Sequence, residues 1–181
     1  MAGKKTFRLT KRLLAATHID EDLRSLLIAS EDRPPGAVFC HVDGVIGLEY
    51  RDKDGKPHRE DGPARFLIDG TETWFRHGVI HRDGDEPAII YEDGEKHWYK
   101  DGKLHREGAP AITDPHGAES WFVKGELHRL DGPAIISAGR LSEQYWRKGC
   151  VVNKFVIDKE IREKEKDQLI ADLKEQLKNQ E

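Results

Sequence analysis

Residues 79–102 read VIHRDGDEPAIIYEDGEKHWYKDG, and the chain repeats nearly this phrase three more times. Residues 56–78 read KPHREDGPARFLIDGTETWFRHG, 103–125 read KLHREGAPAITDPHGAESWFVKG, and 126–149 read ELHRLDGPAIISAGRLSEQYWRKG. His-Arg recurs as His58-Arg59, His81-Arg82, His105-Arg106 and His128-Arg129, with successive histidines 23, 24 and 23 residues apart. Pro-Ala follows each time, at Pro63-Ala64, Pro87-Ala88, Pro110-Ala111 and Pro133-Ala134. An aromatic pair closes each unit: Trp74-Phe75, Trp98-Tyr99, Trp121-Phe122 and Tyr145-Trp146. A period of this length marks an architecture of stacked units.

Within a unit the residue types spell one β-hairpin. Ile89-Ile90-Tyr91 reads as a strand, Glu92-Asp93-Gly94 as a tight turn, and Lys96 to Lys100 as the returning strand. Glycine supplies the positive φ that such turns need at no steric cost. His77-Gly78, Asp101-Gly102, Lys124-Gly125 and Lys148-Gly149 end the returning strands, and the His-Arg segment then leads to the next hairpin. Proline cannot donate to a ladder, so its fixed place fits the start of a strand. Side chains alternate faces along a strand, so Trp98 and Tyr99 point to opposite sides, as do Ile89 and Ile90. Both faces are therefore apolar. Either successive hairpins curl to cover both, or one face keeps an aromatic groove for a ligand.

Working outward, Val38 to Val42, Asp43-Gly44, Val45 to Tyr50 and Asp54-Gly55 repeat the strand–turn–strand layout with the phrase worn away, as expected of an end unit. Upstream, Thr10 and Asp20 are candidate N-caps for helices over Lys11–Ala16 and Glu21–Ala29, and Arg33-Pro34-Pro35-Gly36 is a linker. Downstream, Cys150-Val151-Val152-Asn153 replaces His-Arg and stops the array. From Asp158, a candidate N-cap, the chain is free of glycine and proline and rich in helix formers. Its seam of Ile170, Leu173 and Leu177 is too short for a sustained coiled coil, which leaves a capping helix or a short self-association helix. The expected organisation is a helical N-terminal cap and linker over 1–36, the hairpin array over 37–155, and a charged helix over 156–181. The fold class is all-β, an elongated antiparallel hairpin-repeat solenoid.

Bulk properties narrow the function. The chain has 181 residues and a formal net charge of −4, which gives no bulk reason to expect nucleic acid. Its charged fraction of 35% suits a thin, surface-rich shape. No apolar run approaches the roughly 18–20 residues that span a bilayer. The basic start (Lys4, Lys5, Arg8, Lys11, Arg12) has no apolar segment behind it, so a cytoplasmic protein without a signal peptide is expected. Cys40 and Cys150 have no CxxC partner and read as two reduced thiols, with a disulfide between them left open.

Paired aromatics followed by a glycine turn, as in Trp98-Tyr99-Lys100-Asp101-Gly102-Lys103-Leu104, resemble the MORN repeat family and its bacterial and phage variants. The resemblance runs from about Asp43 to Gly149. This chain lacks the Tyr-x-Gly-x-Trp opening of typical units and adds HR-x-DGPA. The resemblance implies an elongated antiparallel sheet used as a protein-binding scaffold, in some members linked to membrane lipids. The HR-x-DGPA form implies a bacterial or phage accessory protein, for instance an inhibitor that occupies a host factor. Choline-binding hairpins share the Trp-Tyr pair, but this chain lacks their Gly-Trp steps.

The candidate binding residues are the repeated Trp74, Trp98 and Trp121 with His81, Arg82, His105, Arg106, His128 and Arg129. Equivalent histidines in stacked units stand on the order of 10 Å apart, whereas zinc ligands converge to within about 2.2 Å of one ion. No metal or other cofactor is therefore expected. The plainer role for His and Arg is structural, with Arg pairing to Glu60, Asp83, Glu107 or Asp131. No GxSxG, Walker or HExxH motif occurs, and four copies of the same residues do not make the unlike convergence an active site needs. A non-catalytic scaffold for a protein partner is the expected function. The alternative is a small-ligand or nucleotide sink built from Trp, His and Arg between units, and weak homo-oligomerisation through the C-terminal helix is a further expectation.

Overall fold

The structure is a computed structural model and describes residues 36–178. The expected helices over Lys11–Ala16 and Glu21–Ala29, with the basic cluster before them, lie outside the described residues. What is described is mainly β: a ten-stranded antiparallel sheet, four two-stranded hairpins beside it, and one long C-terminal helix.

The sheet begins with β1 (Ala37–Val42) and β2 (Val45–Tyr50). Each of the four phrases then contributes one hairpin: β3 (Arg65–Leu67) with β4 (Glu72–Thr73), β7 (Ile89–Ile90) with β8 (Lys96–His97), β11 (Ile112–Thr113) with β12 (Glu119–Ser120), and β15 (Ile135–Ile136) with β16 (Glu143–Gln144). Sheet order follows the chain, β1-β2-β3-β4-β7-β8-β11-β12-β15-β16. Where the sheet's own hairpins turn, an aspartate closes the loop on itself: Asp69 Oδ1 accepts Thr71 N–H at 2.9 Å, Asp93 Oδ1 accepts Glu95 N–H at 3.0 Å, and Asp114 Oδ1 accepts His116 N–H at 2.8 Å.

The returning strand does not run through as one piece. It breaks at the first aromatic of each pair, and the second aromatic starts a separate small hairpin. These are β5 (Phe75–Arg76) with β6 (Val79–Ile80), β9 (Tyr99–Lys100) with β10 (Lys103–Leu104), β13 (Phe122–Val123) with β14 (Glu126–Leu127), and β17 (Trp146–Arg147) with β18 (Cys150–Val151). Each unit thus holds two hairpins rather than the one expected. The cause lies in the pairs His77-Gly78, Asp101-Gly102, Lys124-Gly125 and Lys148-Gly149. Both residues of each pair have positive φ, for example 50° at Asp101 and 75° at Gly102. That is the two-residue turn whose twist matches a hairpin, so these pairs fold the chain back instead of ending a strand.

Two positions show how closely the units approach. The alanines of Pro-Ala (Ala64, Ala88, Ala111 and Ala134) are 0% exposed. At Gly47 in β2, a Cβ would sit 2.3 Å from the Phe66 carbonyl oxygen, so only glycine lets β3 pair there. The expected worn first unit occupies the sheet as β1 and β2, and its small hairpin is reduced to one bridge, Arg51 to Pro57. Inside it Glu49, 2% exposed, is held by Arg51 at 2.7 Å and by Arg65 at 2.6 Å.

Helix α1 spans Lys154–Lys178. Its cap is Asn153 rather than Asp158: the Asn153 side chain accepts Phe155 N–H at 2.8 Å, which satisfies an otherwise orphaned first-turn donor. Ile157 is fully buried at the end of the array, and Arg147 reaches Glu160 at 2.6 Å. Among the described residues no helix is long and apolar enough to cross a membrane. Cys40 is buried in β1 and Cys150 exposed in β18, both as free thiols. Burial, then the nearby Glu49 carboxylate, pushes the Cys40 thiol up against the opposing pull of Arg65 and Arg51.

Candidate functional site

The repeated residues meet at the joint between units. The main chain of each joint is laid down by the first aromatic: Trp98 N–H donates to Ala111 O of the next unit at 2.8 Å, and its carbonyl accepts His105 N–H at 3.0 Å. The same pair of bonds recurs at Trp74 with Ala88 and His81, and at Trp121 with Ala134 and His128. Such a residue satisfies both of its backbone groups across a boundary, which is why the ladder changes partners there.

The arginine then covers the ring. The guanidinium of Arg82 lies 3.9 Å from the centre of Trp74, Arg106 4.0 Å from Trp98, and Arg129 3.8 Å from Trp121. A planar cation over an indole face is the favoured cation–π geometry. At the worn end Arg59 takes Tyr50 at 4.3 Å. Where the phrase stops, Lys154 of α1 stands 5.9 Å from the centre of Tyr145, the same station filled by a different chain segment.

Each arginine is further tied down. Arg82, Arg106 and Arg129 donate from Nη1 to the carbonyls of Pro87, Pro110 and Pro133 at 2.9, 3.2 and 3.3 Å. Their carboxylate partners differ from expectation. Arg129 does take Asp131, at 2.8 Å, but Arg59 takes Asp61 and Arg82 stands 3.9 Å from Glu86. Arg106 takes Asp85 of the preceding unit through Nε at 2.6 Å and Nη2 at 2.8 Å. That loop is the one with an added residue, the source of the 24-residue spacing. Asp85 also lends its carbonyl to Trp98 Nε1 at 3.3 Å, whereas Trp121 Nε1 is buried without a hydrogen bond. These guanidinium contacts hold Asp61, Asp85 and Asp131 below the usual carboxylate range.

The histidines have one shared task that sequence reasoning missed. Nδ1 of His81 accepts Asp101 N–H at 3.0 Å, His105 accepts Lys124 N–H at 3.2 Å, and His128 accepts Lys148 N–H at 3.2 Å. His58 accepts His77 N–H at 3.4 Å while their rings stack. Each acceptor serves the first residue of the small hairpin's turn, so the histidine pins the turn of its own unit. With Nδ1 accepting, the proton sits on Nε2, which faces Asp83 at 3.0 Å in His81 and Glu107 at 3.6 Å in His105. The His81 hydrogen bond, aided by Arg76, lowers the Asp83 carboxyl. The only written trace of this task was spacing: each His-Arg lies 19 or 20 residues before a glycine-containing turn pair.

The structure therefore brings Trp74, His81, Arg82, Trp98, His105, Arg106, Trp121, His128 and Arg129 together as joints between and within units. Among the described residues no three of His, Cys, Asp and Glu converge to hold a metal ion. The chain matches no family model, no curated protein and no solved structure.

Proposed function

We propose that the chain is an elongated hairpin-repeat solenoid of the MORN-like kind that serves, without catalysis, as a scaffold for a protein partner. The observation that carries this reading is the engagement of the repeated chemistry inside the joints. Histidine Nδ1 is taken by turn N–H groups, the guanidinium faces are laid on indoles, and their edges bond prolyl carbonyls and carboxylates. Groups spent this way hold the units in register and leave a small ligand few donors between them. A repeated surface held in fixed register is the property that repeat scaffolds use to bind partners. The proposal extends to the cytoplasmic setting and to the bacterial or phage accessory role that the HR-x-DGPA phrase implies.

Native mass spectrometry of the protein purified gently from its own cells tests this. The expected result is a co-purifying protein at fixed stoichiometry. A small adduct of constant mass, in one or more copies per chain, overturns the scaffold in favour of a ligand sink.

A further inference from the structure

Each of the first three units presents an acidic sheet tip at one end of its extended run and a basic small-hairpin tip at the other, while the fourth has Arg140 at its sheet tip. From Gly70 to His77, for example, the chain passes from a sheet tip to a small-hairpin tip over on the order of 20 Å. The sheet tips hold Asp43, Asp69, Glu92, Asp93 and Asp114, while the small-hairpin tips hold Lys56, Lys100, Lys103, Lys124 and Lys148. We propose that the stacked small-hairpin tips form a lysine rim that docks an acidic segment of a protein partner. This deepens the scaffold reading and rests on it.

The tips form one continuous rim because each is bonded to the last. Gly102 N–H donates to Ile80 O at 2.9 Å, Gly125 N–H to Leu104 O at 2.8 Å, and Gly149 N–H to Leu127 O at 3.0 Å. The bare glycines let side chains lie across them: the methylenes of Lys56 pass over Gly78, and those of Lys103 over Gly125. The five lysines are exposed, and none is in an ion pair among the described residues. Of the carboxylates on the same rim, Asp52 is taken by His77 at 2.7 Å, while Asp54, Asp101 and Glu126 stay open.

The chemistry selects carboxylates over nucleic acid. Gripping phosphates and bases favours free arginine forks and bare aromatic faces. Here Arg59, Arg82, Arg106 and Arg129 lie on rings, Arg76 pairs with Asp83, and Arg147 with Glu160. What stays free is a row of compact ammonium charges. A second copy of this chain is a poor occupant, because Asp69, Asp93 and Asp114 bend back onto their own turn N–H groups.

The test is fluorescence anisotropy of a labelled polyglutamate peptide on the full chain. With units on the order of 10 Å apart, about 15 extended residues span the rim. Binding is expected at about 0.05 M salt and weakening at about 0.3 M, as exposed charges become screened. The variant K100E/K103E/K124E/K148E is expected to bind at least about tenfold more weakly. The variant K96E/K166E/K174E/K178E, with the same net charge but an intact rim, is expected to bind within about twofold of the parent. If the first variant melts early, the glutamine version replaces it, with weakened binding still expected. Equal binding by both variants overturns the rim, as does an oligonucleotide of equal length binding more tightly than the peptide, or self-association of the chain by light scattering. Failure of the peptide to bind at low salt also sinks the rim but leaves the scaffold standing, whereas a constant small adduct in the native spectrum sinks the scaffold.

Discussion

The repeat array and helix α1 are both rich in charge, yet they reach order by opposite means. In the array almost no unit is complete alone. Trp98 bonds the alanine of the next unit, Arg106 stacks on the indole behind it, and every two-residue strand of the main sheet except β16 has a strand on both sides. In the helix the backbone bonds stay within the segment, and its residues are strong helix formers. Only its start borrows from the array, through Ile157 and the Arg147–Glu160 pair. Beyond Ile161 the described side chains are exposed, Leu169 by 59% and Leu173 by 50%. Short-range order here is either shared between neighbours or intrinsic to the segment, and substitutions separate the two.

The largest effect is expected from Trp98→Ala, which removes a ring that is 8% exposed and leaves Arg106 without its face. A loss of about 3–5 kcal/mol is expected, read from denaturant unfolding. A loss under about 1 kcal/mol would break the claim that units depend on one another. Next comes Ile157→Ala, at about 2–4 kcal/mol, with a matching fall in helical circular dichroism if the first turn is what anchors α1. Ala111→Leu forces bulk into a site with 0% exposure and is expected to cost about 1–3 kcal/mol. His105→Ala removes the acceptor of the exposed Lys124 N–H and is expected to cost about 0.5–1.5 kcal/mol, with His105→Gln recovering part through its side-chain acceptor. The smallest change is expected from ending the chain after Arg162, within about 0.5 kcal/mol, because the side chains removed touch little.

Acid sharpens the same contrast. Asp61, Asp83, Asp85 and Asp131 have carboxyls held low by arginine or histidine partners. A depressed group contributes stability above its unfolded value and loses it as pH falls through the folded one. Array melting temperature is therefore expected to drop below about pH 4. A flat profile down to pH 3 would show that these pairs contribute nothing.

Much of this fold was legible because its signals are local. The sheet-hairpin turns at Asp43-Gly44 and Asp93-Gly94, the Pro-Ala steps and the worn first unit all describe what a few adjacent residues do to the backbone, whereas the second set of glycine pairs, read as strand ends, proved to be turns. What escaped was cooperative. That Trp98 splits a strand in two depends on Ala111 accepting its N–H, thirteen residues away. The histidine's bond to Asp101, Lys124 or Lys148 spans a whole unit, and no periodicity announces a lone pair. Arg106 chose Asp85 over Glu107 because an added residue pushed that carboxylate across the joint. The cap of α1 was misread for a related reason: Asp158 looks like a cap by type, but the helix had already begun at Lys154 to seat Ile157.

Lys154 above Tyr145 carries one last consequence. The chain closes its series by imitating the unit that would have come next, placing a cation where the following arginine belongs. A terminator of that kind recognises only its immediate neighbour and is blind to how many units precede it. The array can therefore be cut to another number of units: excising residues 80–103 moves Leu104 onto Val79 and rejoins one joint to an equivalent one. A chain shortened this way should still fold and still seat its helix, differing from the parent only in its number of units.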